Sequence, residues 1–295
     1  MADIKLFSIK NGIKELESST VNLEKELQTM IENNMETFFG VKFLATEYVT
    51  SNGRMDSLGI DENHCPVIFE YKRDKTENVI NQGLFYLDWL LDHKDSFKVL
   101  VLEKLGKEDA DKIDWSMPRI ICVAYDFTKY DKSAINQMTR NISLIRYRKY
   151  GNDYLMFEKL NENIVSAIED DEERKQRTKD KTYAEQYESC SPRIRDIVNQ
   201  IQDYTLQLGD EVSGVELKLY KAFKKIRNFA CIVLQESCIV LYLKLDPSFI
   251  ELEDGFTSDV THIGHWGTGN LEVTIKTQAD FEKSKSLIEM AYDEN

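Results

Sequence analysis

The stretch Gly53–Tyr86, GRMDSLGIDENHCPVIFEYKRDKTENVINQGLFY, constrains this chain more than any other. Val67-Ile68-Phe69 is a run of β-formers that ends in Glu70-Tyr71-Lys72. Side chains alternate along a strand, so Glu70 and Lys72 share a face. The preceding apolar segment is interrupted by Asp56. A hairpin with its loop centred on Asn63 places Asp56 opposite Glu70. Directly opposed residues have Cβ atoms roughly 4.5–5.5 Å apart. Two carboxylates that close repel each other and require a compensating cation. A hard divalent ion with oxygen ligands, Mg²⁺ or Mn²⁺, suits them. The plainer alternative is that Glu70 and Lys72 face solvent on an edge strand while Asp56 caps a turn.

The rest of the chain narrows the classes available. Its 295 residues suffice for two ordinary domains or one large one. The N-terminus, MADIKLFSIKNG, lacks a signal-peptide core, and the most apolar late run, Phe229–Leu245, contains Gln235, Glu236 and Lys244. That run reads as a strand pair rather than a membrane span, and a cytoplasmic location is the default expectation. Five scattered cysteines form no C-x-x-C pair, and Cys122 and Cys231 sit in strand-like runs as small buried hydrophobes. Four histidines without metal-ligand spacing argue against zinc. A net charge of −14 argues against a protein that coats nucleic acid. It leaves room for an enzyme with a local basic groove.

The element pattern is α/β. Apolar residues at helical spacing predict one helix over Val21–Phe39, capped by Ser19 or Thr20 and ended by Gly40. Strands follow at 41–50, 54–60 and 66–72, then a helix from Glu77 to about Asp92. Phe97–Glu103 reads as a strand, Pro118–Tyr125 as a buried strand, Asp131–Arg140 as a helix, and Ile142–Arg148 and Asp153–Leu160 as strands. This defines a domain over 1–165. A charge run, AIEDDEERKQRTKDKT, marks a linker or exposed helix over 166–190. A smaller α+β domain over 191–295 closes on a helix from Gln278 to Tyr292.

Glu24 lies on the first helix, Asp56 on one strand, Glu70-Tyr71-Lys72 at the end of the next, and Gln82 and Tyr86 at i and i+4 on the helix after them. This order resembles the RecB-like, Q-x-x-x-Y branch of the PD-(D/E)XK nuclease superfamily over residues 20–105. The Pro that often precedes the family Asp is replaced here by Arg54-Met55, and Glu26 is an alternative to Glu24. The resemblance implies a restriction-endonuclease-like mixed sheet flanked by helices. It implies a Mg²⁺- or Mn²⁺-dependent phosphodiesterase acting on nucleic acid, with DNA the first choice, in defence or repair. Asp56, Glu70 and the Tyr71 carbonyl would hold the metal. Lys72 would orient the water or stabilise the transition state, and Glu24 would assist. Gln82 and Tyr86 would position the backbone, and Arg73 and Lys75 would face phosphates. Arg146 and Arg148 alternate with Tyr147 and Tyr150 in a segment suited to tracking a strand.

The C-terminal part resembles a small uncharacterised domain found in bacterial proteins labelled "predicted transport protein", carried by Tyr220–Lys225 and by Asp259–Val273. No membrane segment supports a transport role. Gly264, Gly267 and Gly269 surround His262, His265 and Trp266, which would form a ligand loop or a tight turn into the next strand. Alternatives to the enzyme are a nuclease fold kept as a nucleic-acid or partner-binding module with catalysis weak or lost, and a metabolite sensor using that loop. A homodimer is compatible with either.

Overall fold

The computed structural model describes residues 4–10, 12–21, 23–51, 53–72, 79–164, 181–235 and 237–295. Two short strands, β1 (Leu6–Ser8) and β2 (Lys14–Leu16), pair with each other, and β3 (Ser18–Ser19) leads into the first domain-sized layer. Helices α1 (Glu24–Glu32) and α2 (Met35–Phe39) precede β4 (Val41–Thr50), β5 (Gly53–Asp61) and β6 (Pro66–Lys72). Then come α3 (Val79–Asp92), α4 (Lys94–Leu105), α5 (Lys107–Asp111), β7 (Arg119–Ala124), α6 (Lys129–Ile135), β8 (Asn141–Tyr150) and β9 (Tyr154–Asn163).

These strands form one seven-stranded sheet, ordered β3-β8-β7-β6-β5-β4, with β9 also on β8. β6, β7 and β8 run parallel, while β4–β5–β6 and β8–β9 are antiparallel. The sheet is therefore mixed, and alternation divides its residues between two helical layers. Val67, Phe69, Tyr71, Ile121 and Val123 pack under α1 and α2 with Leu27, Ile31 and Phe39. Ile68, Ile120, Cys122 and Leu144 pack under α3 and α4 with Leu87, Leu90, Phe97 and Val101. A Cβ at Gly83 would come within 2.6 Å of Ile120, so glycine lets α3 lie close on β7.

The second layer contains α7 (Tyr183–Ser189), α8 (Pro192–Leu206), β10 (Ser213–Glu216), β11 (Lys221–Lys224), β12 (Asn228–Leu234), β13 (Ile239–Leu243), β14 (Thr257–Asp259), β15 (Leu271–Ile275) and α9 (Gln278–Glu294). Its six strands are all antiparallel, ordered β10-β11-β12-β13-β15-β14. Ile239, Leu241 and Leu243 face a core made with α8 and α9. Val240 and Tyr242, on the opposite face, join Cys65 and Met117 of the first layer. Tyr183 and Cys190 lie in the second core, so α7 packs with this sheet. Residues 166–180 of the expected linker lie outside the described residues.

The mixed α/β architecture agrees with the sequence pattern, and three local expectations are corrected. Val21–Phe39 is two helices, because the chain breaks at Asn33-Asn34, where Asn34 Nδ2 donates to the Met30 carbonyl. Ser19 pairs with Lys149 in a strand instead of capping α1. Phe97–Glu103 is helical, burying Phe97 and Val101 one turn apart and leaving Val99 and Leu102 exposed. Short apolar runs fit either period, and here packing on α3 and β4 selects the helix. All five cysteines are buried free thiols. Among the described residues no helix is long and apolar enough to cross a membrane.

Candidate active site

The β5–β6 hairpin pairs Ser57 with Phe69, Leu58 with Ile68, Gly59 with Val67 and Ile60 with Pro66, a register centred on Asn63. One further step sets Asp56 beside Glu70, and the Asp56 N–H lies 3.4 Å from Glu70 Oε1. Because β6 is flanked by β5 and β7, Glu70 is an interior residue and only 2% exposed. The solvent-facing alternative does not apply to it. Asp56 Oδ2 accepts the Tyr71 N–H at 3.0 Å. Lys72, at the end of the same strand, places Nζ 3.4 Å from Glu24 Oε1. Glu26 lies 3.5 Å from Lys149 instead, so the structure brings Glu24, not Glu26, to Lys72.

Burial, with Asp56 as a second contributor, pushes Glu70 up to about 9. Burial also raises Asp56, opposed in part by the Tyr71 N–H and by Lys72. Both carboxyls are therefore shifted towards their protonated forms, and at neutral pH Glu70 keeps its proton. Among the described residues no three His, Cys, Asp or Glu groups converge as a metal-binding cluster. A cation here would depend on two carboxylates supplemented by backbone oxygen and water. Mg²⁺ fits such a donor set, since it keeps several waters and is bound through one or two carboxylates.

Three supporting residues were not read from the sequence. Gln28 Nε2 donates to the Asp56 carbonyl at 2.7 Å and to Glu32 Oε1 at 2.9 Å. Ser57 Oγ donates to Glu32 Oε1 at 2.6 Å. Glu24, Gln28 and Glu32 are spaced four apart and so line one face of α1. That spacing was the available signal.

The remaining candidates take varied positions. The Tyr86 hydroxyl accepts the Arg54 N–H at 3.3 Å and rests on Gly53, at the opposite end of β5 from the turn. Gln82 is exposed on α3. Arg73 and Lys75 lie outside the described residues. The β6–β7–β8 register aligns Lys72 with Ala124 and Arg146. Arg146 is buried, bonded to Glu158 and 3.7 Å from Asp126. Arg148 donates to the Tyr125 and Tyr147 carbonyls and stacks 3.7 Å above the Tyr125 ring. Both guanidinium groups are thus engaged within the fold. His262, His265 and Trp266 belong to the loop between β14 and β15 of the second sheet. His265 stacks on Tyr242 with centroids 4.0 Å apart, and His262 and Trp266 are exposed.

An uncharacterized protein of Haemophilus influenzae is 30% identical over 302 residues, spanning 98% of this chain and 99% of that one. This chain belongs to the same family. A model described as "Domain of unknown function (DUF5655)" matches residues 180–295, which takes in α7 with the second sheet. Among solved structures, an EndoMS–dsDNA2 complex is 23% identical, with a TM-score of 0.28 over 45% of this chain and 50% of that one. A repair endonuclease from Pyrococcus abyssi is 18% identical, with a TM-score of 0.29 over 48% and 61%. The chain spans about half the length of these solved chains. At such TM-scores the likeness decides neither fold nor activity.

Proposed function

We propose that this protein is a metal-dependent phosphodiesterase acting on nucleic acid, with DNA the first choice. The observation that carries the reading is the Asp56–Glu70 pair on adjacent strands, Glu70 buried and Asp56 half-buried, with Lys72 at the end of one of them. Such a pair is electrostatically unsatisfied by itself, and perturbed carboxylates of this kind concentrate at functional sites. The order Glu24, Asp56, Glu70-x-Lys72 supports the same reading. Asp56, Glu70 and the Tyr71 carbonyl would hold Mg²⁺ or Mn²⁺, and that ion would supply Lewis-acid chemistry and a nucleophilic water.

The chain's own residues have separate tasks. The Tyr71 N–H and Gln28 fix Asp56 at its side chain and its carbonyl. Glu70 must release its proton to ligate, so metal affinity rises with pH. Lys72, held by Glu24, presents a cation to charge developing on the phosphate. Gln82, Arg73 and Lys75 would meet the nucleic-acid backbone, while Tyr86 supports the strand that carries Asp56.

A second reading has one observation in its favour. Arg146 and Arg148 are committed to internal partners, and the chain carries a net charge of −14. That suits a nuclease fold kept with catalysis weak or lost. One experiment separates the two: plasmid, single-stranded DNA and RNA are each incubated with protein in Mg²⁺, Mn²⁺ or EDTA. The enzyme reading expects metal-dependent cleavage that drops by about 100-fold or more in Asp56→Ala and Lys72→Ala. Equal cleavage by the variants sinks the site. Binding without cleavage in any metal selects the second reading.

A further inference from the structure

The tip of the β5–β6 hairpin is embedded in the second sheet. Asp61 Oδ1 accepts the N–H groups of Asn63 and Cys65, which closes the turn. Asn63 Oδ1 then receives the Tyr220 hydroxyl at 2.9 Å and Asn228 Nδ2 at 2.7 Å. Glu62 Oε2 accepts the Asn228 N–H at 3.0 Å, and Glu62 Oε1 pairs with Lys244. Tyr220 precedes β11, Asn228 opens β12 and Lys244 follows β13, so three neighbouring strands hold one turn. The second Nδ2 donation of Asn228 goes to Thr268 Oγ1 at 3.2 Å, which ties in the glycine-rich loop.

Glu62 also touches the other arm of the site. Its N–H donates to the Gly40 carbonyl at 3.1 Å, and a Cβ on Gly40 would come within 2.6 Å of Glu62 Cδ. Gly40 ends α2 in the left-handed conformation at φ 63°, and α1 just before it supplies Glu24, Gln28 and Glu32. The two sources of the site's side chains, α1 and the hairpin, therefore meet the C-terminal layer at one residue.

We propose that the C-terminal sheet is a positioning clamp on the β5–β6 turn, with Glu62, Asn63 and Asn228 as positioning residues for the Asp56–Glu70 pair; the functional meaning of that pair rests on the reading above. A one-residue slip of a hairpin turns every side chain to the opposite face. Asp56 lies seven residues from Asn63, about 23 Å along the strand, so pinning the turn pins the register that sets Asp56 against Glu70. Asn63 and Asn228 are buried, and Asn63 Oδ1 and Asn228 Nδ2 are paired with each other across the interface. Such networks specify one arrangement because a displaced partner leaves a buried polar group unpaired.

The test uses the metal-free full chain with Glu62→Leu, Tyr220→Phe and the conservative Glu62→Gln. Amide exchange at Leu58, Gly59, Val67 and Ile68 is followed together with the cross-strand backbone NOEs between Asp56 and Glu70. The clamp predicts exchange at least about ten-fold faster in Glu62→Leu, with β12–β13 protection kept. It predicts that the Asp56–Glu70 NOEs weaken as the register loosens. Tyr220→Phe should move both readouts the same way by less, and Glu62→Gln should restore them. Unchanged exchange and NOEs in both disruptive variants would overturn the clamp, as would faster exchange with unmoved Asp56–Glu70 NOEs. Neither readout needs catalysis, so a wild type that cleaves nothing removes the nuclease reading and leaves this test standing.

Discussion

Glu70 and Glu162 are both glutamates inside this molecule, and their surroundings drive them in opposite directions. Glu70 feels the Asp56 carboxylate beside it, and the cation acting on it, Lys72, is paired with Glu24. Burial pushes it up to about 9. Glu162, on β9, accepts from Lys224 at 2.8 Å, Ser143 at 2.9 Å, Lys159 at 3.2 Å and Ser213 at 2.9 Å. Burial alone would raise it too, yet Lys224 and Lys159 outweigh that effect and hold it well below the usual carboxylate range. The comparison separates a carboxylate arranged for stability from one left unsatisfied. The satisfied one joins the two sheets beside a cavity of about 20 Å³, which Asp61, Arg119 and Lys224 also line. That is room for a single water.

Breaking the satisfied side has the largest expected effect. Glu162→Leu strands Lys224, which is buried, and should lower stability by about 3–5 kcal/mol in urea unfolding at pH 7. A loss below about 1 kcal/mol would mean that the network is solvated and the contrast with Glu70 is false.

The unsatisfied side should respond with the opposite sign. In the metal-free protein Glu70 is held protonated at pH 7 against its ordinary value near 4.5. Glu70→Gln mimics that protonated form, so it should raise stability by about 2 kcal/mol while abolishing cleavage. Destabilisation would place Glu70 among the structural carboxylates.

The pH dependence follows from the same shift. A raised folded-state value means that the native state binds more protons than the unfolded chain. The contribution of Glu70 is therefore full below about pH 4.5 and is lost as pH rises towards about 9. Urea midpoints of wild type minus Glu70→Gln, taken from pH 4 to 9.5, should fall across that window and level off above it. Glu162 behaves inversely: its contribution is present above the ordinary carboxylate range and disappears in acid.

The smallest stability change belongs to Lys72. Its pair with Glu24 is partly exposed, so Lys72→Met should alter stability by no more than about 1 kcal/mol. Cleavage should nevertheless collapse. A large stability loss with retained cleavage would make Lys72 a structural cation.

The side of this contrast that could be read from the sequence was the one built from local pattern. Alternation and a turn centred on Asn63 placed Asp56 opposite Glu70, and the register agrees. Apolar periodicity also located α3, β7, β8 and the β12–β13 pair. Phe97–Glu103 was misread because both periods fit it and packing chose between them. The Glu162–Lys224 pair joins residues 62 positions apart on different sheets, and no local pattern announces it. Arg146 looked available because its neutralising partners, Asp126 and Glu158, come from outside its own strand. Gln28 was within reach, four residues after Glu24 on the same helical face.

The most direct test of the central claim is calorimetric titration of Mn²⁺ into wild type and Glu70→Gln at pH 7.5, in two buffers of different ionisation enthalpy. If the Asp56–Glu70 pair is a metal site whose Glu70 carries a proton, wild type binds the ion and releases about one proton per metal. Glu70→Gln then binds far more weakly and releases none. Absence of Mn²⁺ binding, or equal binding with equal proton release by both proteins, would contradict the account.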